Sequence, residues 1–509
     1  MRRLEFALLW RLSGVALAFA GVPLHAQQPA AYGAADPVVK DADRFDVRRP
    51  VVKDLETRVG PDFTLAVVGD LIISRPLSQS AQRLPGFAGV LRVLHGADVS
   101  TGNMESTIFD ARSFTGAPYS WDGDWTNSSS PEVAKDLRGM GFTLVSRANN
   151  HALDWGLEGM RETGRRLDEA GIAHAGVGEN RGLAAAPGYV ETPKGRVALV
   201  SIASTFRPTT EALPAQDAAP GRPGLNALHV TQTIRVPKSV MQALASVDCA
   251  LHGNHCHDIP AKLKLFDEDY RIGAAFAYEY TMDPEDLAII LRAIRSARQN
   301  ADLVVVALHS HECSVGCDDP DQPRGPGDFL KILAHEAIDS GADIFFTTGN
   351  HNLGPLELYR SPHRGVRPIL YGLGNFFWSD VQELLPHDLY QGNRTLLGSA
   401  WVDPSKATPY DLSAPLNKAS FAHDFTFRSV IAVSKFDGNR FVELRLYPIE
   451  EGYGDRLTDS GIPRLAADAT VGNAIIQQIV TATARYGLPA PRISFQDGAA
   501  VLLPGGESK

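Results

Sequence analysis

Short apolar runs in this chain end, again and again, in an acidic, amide or histidine residue. FTLAVV leads into Gly69 and Asp70, and ADVSTG into Asn103 and Glu105. FTLVS leads to Asn149, Asn150 and His151, DLVVVAL to His309 and His311, and DIFFTTG to Asn350 and His351. Runs of this kind suit strands buried on both faces, as in a parallel sheet. In open α/β sheets, ligands and catalytic groups gather beyond the carboxyl ends of the strands. Polar groups delivered by five strand ends therefore predict one site assembled from across the sequence. Oxygen donors mixed with imidazole suit a divalent cation of intermediate hardness. The site is expected to be metal-centred, with one or two ions drawn from Mn, Zn, Fe or Mg.

Helical patterns separate these runs. Ser130-Pro131 is placed to cap VAKDLRGMG, and LEGMRETGRRLDEA stops at Gly171. Asp283-Pro284 opens EDLAIILRAIRSARQN directly before DLVVVAL, and Asp328 opens FLKILAHEAIDSG directly before DIFFTT. Helix–strand alternation of this sort implies parallel pairing. After Trp378 the pattern changes: RSVIAVSKF and FVELRLYPI flank DGN as a hairpin, and TVGNAIIQQIVTATARYG reads as a helix. One domain is expected over 61–505, with a C-terminal hairpin and helix segment in 400–505. The Pro/Gly-rich stretch 205–278 reads as an irregular insert placed to cover the site.

Length and charge narrow the class. The 509 residues are long enough to bury a substantial core. A formal net charge of −10, with no long Lys/Arg run, makes nucleic acid and anionic membrane surfaces poor partners. Arg2 and Arg3, followed by GVALAFAGVPL and a small-residue site after Ala26, read as a signal peptide over 1–26. Arg11 interrupts any longer apolar run, which disfavours a spanning anchor. Residues 27–60 read as a linker or loosely docked arm. The mature chain is expected to be exported, to a bacterial periplasm. Four cysteines form two close pairs, which suggests disulfides Cys249–Cys256 and Cys313–Cys317. His252, His255 and His257 around Cys256 leave a metal–thiolate reading open.

In order along the chain stand GD at 69–70, GNMES at 102–106, ANNHALDWG at 148–156, LHSHE at 308–312, GADIFFTTGNHNLGPLELY at 341–359 and ILYGLGNFF at 369–377. Together these blocks closely resemble the bacterial capsule-synthesis CapA family of poly-γ-glutamate biosynthesis. That family is similar to the calcineurin-like metallophosphatases, and the resemblance spans roughly residues 63–380. It implies an α/β metallophosphatase-like sandwich flanked by helices, with the site at the strand carboxyl ends.

The resemblance also implies roles. Asp70 matches an aspartate that binds one metal, and Glu105 an acid standing where the phosphatases have a bridging aspartate. Asn150 matches the asparagine of a Gly-Asn-His motif, His151 the histidine beside it that acts as general acid, and His309 and His351 further ligands. Period-two alternation puts His311 on the same side as His309, which makes it a ligand candidate too. Asn103, Asn149, Asp154, Asn350 and Asn375 are expected to support the site or meet substrate, Asp154 by orienting His151. The chain departs from the family where Gly-His-His-Pro-His or Gly-His-Gly-Pro-His is usual: Thr348 and Gly349 stand in place of histidines, and His311 is a possible substitute. Ile72 stands where phosphatases carry the histidine of Asp-x-His.

Two further histidine sets compete for attention. HGNHCHD at 252–258 contains Gly-Asn-His but lies in the insert, and His335 lies within a helix. The expected activity is metal-dependent hydrolysis of a phosphoester or related bond, on an envelope or capsule polymer or a small anionic substrate. The alternatives are a polymer-binding scaffold with a degraded site, and metal-assisted chemistry on a non-phosphate bond such as an amide.

Overall fold

Seven strands carry or border the site: β1 (Phe63–Ile72), β2 (Val99–Met104), β3 (Leu144–Ser146), β4 (Gly195–Ala203), β5 (Leu303–His309), β6 (Ile344–Thr348) and β7 (Asn375–Trp378). The computed structural model describes residues 57–119, 125–316, 325–378, 384–420 and 423–505. The expected leader, and the arm up to residue 56, lie outside the described residues.

Extended backbone sends neighbouring side chains to opposite faces, and in β1 both faces are dry. Leu65 and Val67 join one apolar cluster, Ala66 and Val68 another. In β5, Val305 and Ala307 share the cluster of Leu65, whereas Val304, Val306 and Leu308 face a third. The shared cluster defines the architecture: two sheets packed face to face over a common core. Helices cover both outer faces. α1 (Gly156–Ala170) packs Leu167 on the first sheet, and α2 (Pro284–Asn300) and α3 (Phe329–Asp339) pack Ile290, Ile294, Leu330 and Leu333 on the second. The chain thus forms the α/β sandwich flanked by helices that the resemblance implied. Each fully buried Leu, Ile or Val in these clusters contributes about 1.5–3 kcal/mol relative to exposure.

The first sheet runs Ser494–Gln496, Ala499–Leu502, Arg440–Glu450, Arg428–Asp437, β1, β2, β3, Ala173–Ala175, with β7 also paired to β1. β1, β2, β3 and β7 are parallel, and the C-terminal hairpin adds antiparallel strands. The second sheet runs Leu356–Ser361, Gly365–Leu370, β6, β5, β4, Gly188–Thr192, parallel from β6 to β4.

Asp283 caps α2 as expected, its carboxylate accepting from the amides of Glu285 and Asp286 at 2.9 Å each. Asp328 precedes α3 but does not cap it; its Oδ1 accepts from the Tyr280 amide at 3.0 Å instead. The helix after Pro131 begins at Val133, where the expected pattern starts, but carries no side-chain cap. The stretch 205–278 is less irregular than its composition suggests. Val230–Val236, Lys262–Leu265, Glu268–Ile272 and Ala277–Met282 form a four-stranded sheet under the helix Lys238–His252. Its core is small, built on Met241, Leu263 and Leu265. Because charged residues alternate outward in KLKL, no long apolar run marks those strands. Among the described residues no helix is long and apolar enough to cross a membrane.

Candidate metal centre

Register assembles the site. Asp70 on β1 lies opposite Asn103 on β2 and Asn375 on β7, and Asn103 lies opposite Ser146 on β3. In the second sheet His309 ends β5 between Ala203 and Thr348. The ends of both parallel arrays therefore point to one place. β1 reaches it through an irregularity between Val67 and Asp70. A side chain at Gly69 would put its Cβ 1.9 Å from the Gly374 carbonyl oxygen, so only glycine permits this approach. The Asp70 amide then donates to that carbonyl at 3.1 Å.

Asp70, Glu105 and His309 are fully buried and mutually close. His309 Nδ1 lies 3.8 Å from Asp70 Oδ1, and His309 Nε2 lies 3.4 Å from Glu105 Oε1. Asn103 ties them together: its Nδ2 donates to Asp70 Oδ1 at 2.8 Å and lies 3.1 Å from His309 Nδ1. Asn149 in turn donates to Asn103 Oδ1 at 3.0 Å and to the Met104 carbonyl at 2.9 Å. His311 Nε2 stands 3.0 Å from His309 Nε2. His351 Nδ1 lies 3.6 Å from Asp70 Oδ2 and 2.9 Å from Asn375 Oδ1, with its ring edge-on to Trp378. Two triads, Asp70–Glu105–His309 and Glu105–His311–His351, each bring one candidate ligand atom per residue within 4.8 Å of the others.

The chemistry of this donor set fits a divalent cation. Burial, reinforced by Asp70 alongside, pushes the Glu105 carboxyl well above the usual carboxylate range. Burial, with the imidazoles of His311, His351 and His151, holds His309 well below its ordinary value. A cation would ionise Glu105 and use a neutral histidine as it stands. The Nδ1 of His309 faces both Asn103 Nδ2 and Thr348 Oγ1, each at 3.1 Å, two groups able to donate to its lone pair. Glu105 Oε1, Asn150 Oδ1 and Asn350 Oδ1 are among the buried oxygens without a hydrogen-bond partner, as are Asn127 Oδ1 and Asp154 Oδ1. Orphaned buried acceptors are costly unless something electropositive meets them.

One of the two positions without a family histidine, Gly349, has a geometric account. Gly349 has φ 107, and a Cβ there would lie 2.8 Å from His311 Cδ2. The Ser310 carbonyl oxygen, at 2.7 Å, and His311 together take the space a side chain at Gly349 would need. Gly349 also donates its amide to Asp70 Oδ2 at 3.1 Å.

His151 belongs to the same cluster but is held differently. Its Nε2 lies 3.9 Å from Glu105 Oε1, while its Nδ1 lies 2.7 Å from Asp154 Oδ2. Asp154 is fully buried, also accepts from the Asn127 amide at 2.6 Å, and turns Oδ1 to Arg207 Nη1 at 3.2 Å. The contact of Asp154 with His151 is the one that the expected orienting role requires. Ser146, Arg207, Thr348 and Trp378 escaped the sequence reading. Ser146 and Thr348 are generic strand-end hydroxyls, and Arg207 in STFRPTT resembles any solvated charge; Trp378, at the end of an apolar run, resembles any core aromatic.

The competing histidines go elsewhere. His335 lies 3.0 Å from both Glu357 oxygens and stacks on Tyr359. His252 pairs with Asp248 and His255 with Asp258. Cys249–Cys256 is a disulfide, which removes the thiolate reading at Cys256. Cys313 is also disulfide-bonded, and its expected partner Cys317 lies outside the described residues.

A two-sheet sandwich whose strand ends converge on histidines and carboxylates is the class that fold and site define. Over residues 64–379 the sequence matches the family described as bacterial capsule synthesis protein PGA_cap, and the chain belongs to that family. It is 40% identical over 425 residues to the uncharacterized protein y4sH of Sinorhizobium fredii, covering 83% of this chain and 89% of that one. It is 23% identical over 386 residues to the capsule biosynthesis protein CapA of Bacillus anthracis, covering 73% and 74%. With the PGA biosynthesis protein CapA of Bacillus subtilis it shares 22% over 383 residues, covering 74% and 79%.

Proposed function

We propose that this chain is an exported, metal-dependent hydrolase that cleaves a phosphoester or related bond during assembly or export of an envelope or capsule polymer of the poly-γ-glutamate type. The observation that carries the reading is the juxtaposition of His151 with the Asp70–Glu105–His309 triad. Asp70, Glu105, Asn150, His309, His311 and His351 would hold one or two divalent ions. A bound divalent cation supplies Lewis acidity and makes water acidic near neutral pH. The chain's own residues do the rest. Asn103 and Asn149 fix the carboxylates and the loop before His151. Asp154 at Nδ1 leaves Nε2 of His151 facing the cluster, where it can pass a proton to a departing oxygen. The apolar core behind Asp70 and His309 keeps bulk water from that side of the site. Export rests on the N-terminal segment 1–26, and the polymer on the names of the CapA relatives.

The test is metal analysis followed by a substrate panel of phosphoesters and γ-glutamyl peptides. Bound or recruitable metal with turnover of a phosphoester supports the reading. Turnover of γ-glutamyl peptides alone would move the chemistry to amide hydrolysis. A second reading, a polymer-binding scaffold, is favoured by Thr348 and Gly349 standing in place of family histidines. A protein that neither binds metal nor turns over any panel member, yet retains the polymer, would establish that reading instead.

A further inference from the structure

The loop after β4, Ser204–Arg207, touches both halves of the site without entering it. Four contacts tie its start to the loop that carries His311. The Ser204 amide donates to the His309 carbonyl at 3.0 Å, and the His311 amide donates to Thr205 Oγ1 at 2.8 Å. The hydroxyls of Ser204 and Thr205 donate to the two oxygens of Glu312 at 2.6 and 3.0 Å. Ser310 adds a third hydroxyl to Glu312, at 2.6 Å. Glu312 thus ties the start of the segment to the loop that carries His311. Three residues on, Arg207 is 6% exposed. It donates to the Tyr119 and Trp125 carbonyls at 2.7 Å each and faces Asp154 Oδ1 at 3.2 Å. Asp154 is the carboxylate that grips His151. The Arg207 carbonyl is itself held by the amide and hydroxyl of Thr210, at 3.2 and 2.6 Å.

We propose that Ser204–Arg207 is one positioning segment for two functions: through Glu312 it sets His311 for cation binding, and through Asp154 it sets His151 for proton transfer. Arg207 is then a positioning residue. Its guanidinium faces Oδ1 of a fully buried carboxylate, which leaves Oδ2 on His151. The segment issues from the second sheet, whereas Asp154 belongs to a loop of the first, so the contact also fixes one sheet's histidine against the other's.

The inference rests on the hydrolase reading for the role of His151, so the experiment has arms that do not need turnover. In Arg207→Ala, metal content should stay at the wild-type level. Turnover of a phosphoester with a poor leaving group should fall about 10–100-fold, with a smaller loss on an activated aryl ester, and Arg207→Lys should recover part of it. In Glu312→Ala, metal affinity should fall about 10–100-fold, without a change in the ratio between poor and activated leaving groups. A crystal structure of Arg207→Ala should show His151 released from Asp154. If the wild type hydrolyses nothing, the hydrolase reading fails, and the metal titration of Glu312→Ala and the His151 position in Arg207→Ala still decide this one. Equal losses on both leaving groups, metal loss in Arg207→Ala, unchanged affinity in Glu312→Ala, or an undisturbed His151–Asp154 contact would each overturn it.

Discussion

At the scale of single residues, the site separates groups that would touch an ion from one that would move a proton. Asp70 and His309 are fully buried at the centre of the cluster. Asp70→Ala and His309→Ala should lower metal content and turnover together. His151→Ala should leave metal content near wild type while turnover falls roughly 10²–10⁴-fold, as on losing a general acid. Side-by-side metal analysis and kinetics of the three variants check this; metal loss in His151→Ala equal to that in His309→Ala would make His151 a ligand instead. Most of these residues were legible because strand-end polar residues leave a signature after an apolar run. Arg207 was not, since its meaning lies in a contact with Asp154 across 53 residues that no local pattern encodes. Asn103 and Asn149 were legible as candidates, but their hydrogen bonds to one another were not.

At the scale of elements, Asp343 shows how a strand is anchored before it delivers its ligand. It stands just ahead of β6 and meets Arg298 of α2 at 2.9 Å, Arg364 at 2.8 Å and Arg367 at 3.2 Å. Burial alone would raise its pKa, but Arg364, Arg298 and Arg367, with the Val304 amide, hold it at about 2. A folded pKa below the unfolded one means stabilisation that is complete above the unfolded value of 3.8 and fades as pH falls toward 2. The contribution is about 2 kcal/mol. Asp343→Asn should therefore be less stable than wild type near pH 7, and the gap should narrow by about that amount near pH 2. Denaturant titrations at both ends of the range measure it, and a gap independent of pH would contradict the account. Element types in the parallel sheets were readable because both faces of those strands are apolar. The Val230–Met282 sheet was not, because its half-exposed strands alternate charge with a small core.

At the scale of the whole molecule, the candidate ligands come from both sheets: Asp70 and Glu105 from the first, His309, His311 and His351 from the second. An ion held by all of them would join the two halves of the sandwich. Metal at a hundredfold excess over its Kd should stabilise the fold by about 2.7 kcal/mol, raising Tm by on the order of a few degrees. Thermal melts of chelator-treated protein with and without added Mn²⁺, Zn²⁺, Fe²⁺ or Mg²⁺ test this. The shift should vanish in the Asp70→Ala, His309→Ala double variant; a shift that survives there would come from another site. That five separate strand ends meet at one point was predictable from the parallel pattern. Which sheet each joined was not, since pairing order depends on contacts hundreds of residues apart.

Strand β1 carries Asp70, yet the partners on one flank of it are β7 and Arg428–Asp437, more than 300 residues later. Closing so long a loop is slow compared with local pairing. During synthesis, therefore, β1, the first strand among the described residues, is among the last to be completed, and until Arg428–Asp437 arrives it presents an open apolar edge of the kind that recruits other chains. The refolding rate and the yield of soluble protein should depend on the C-terminal hairpin far more than on helix α1, which packs on segments close to it in the sequence.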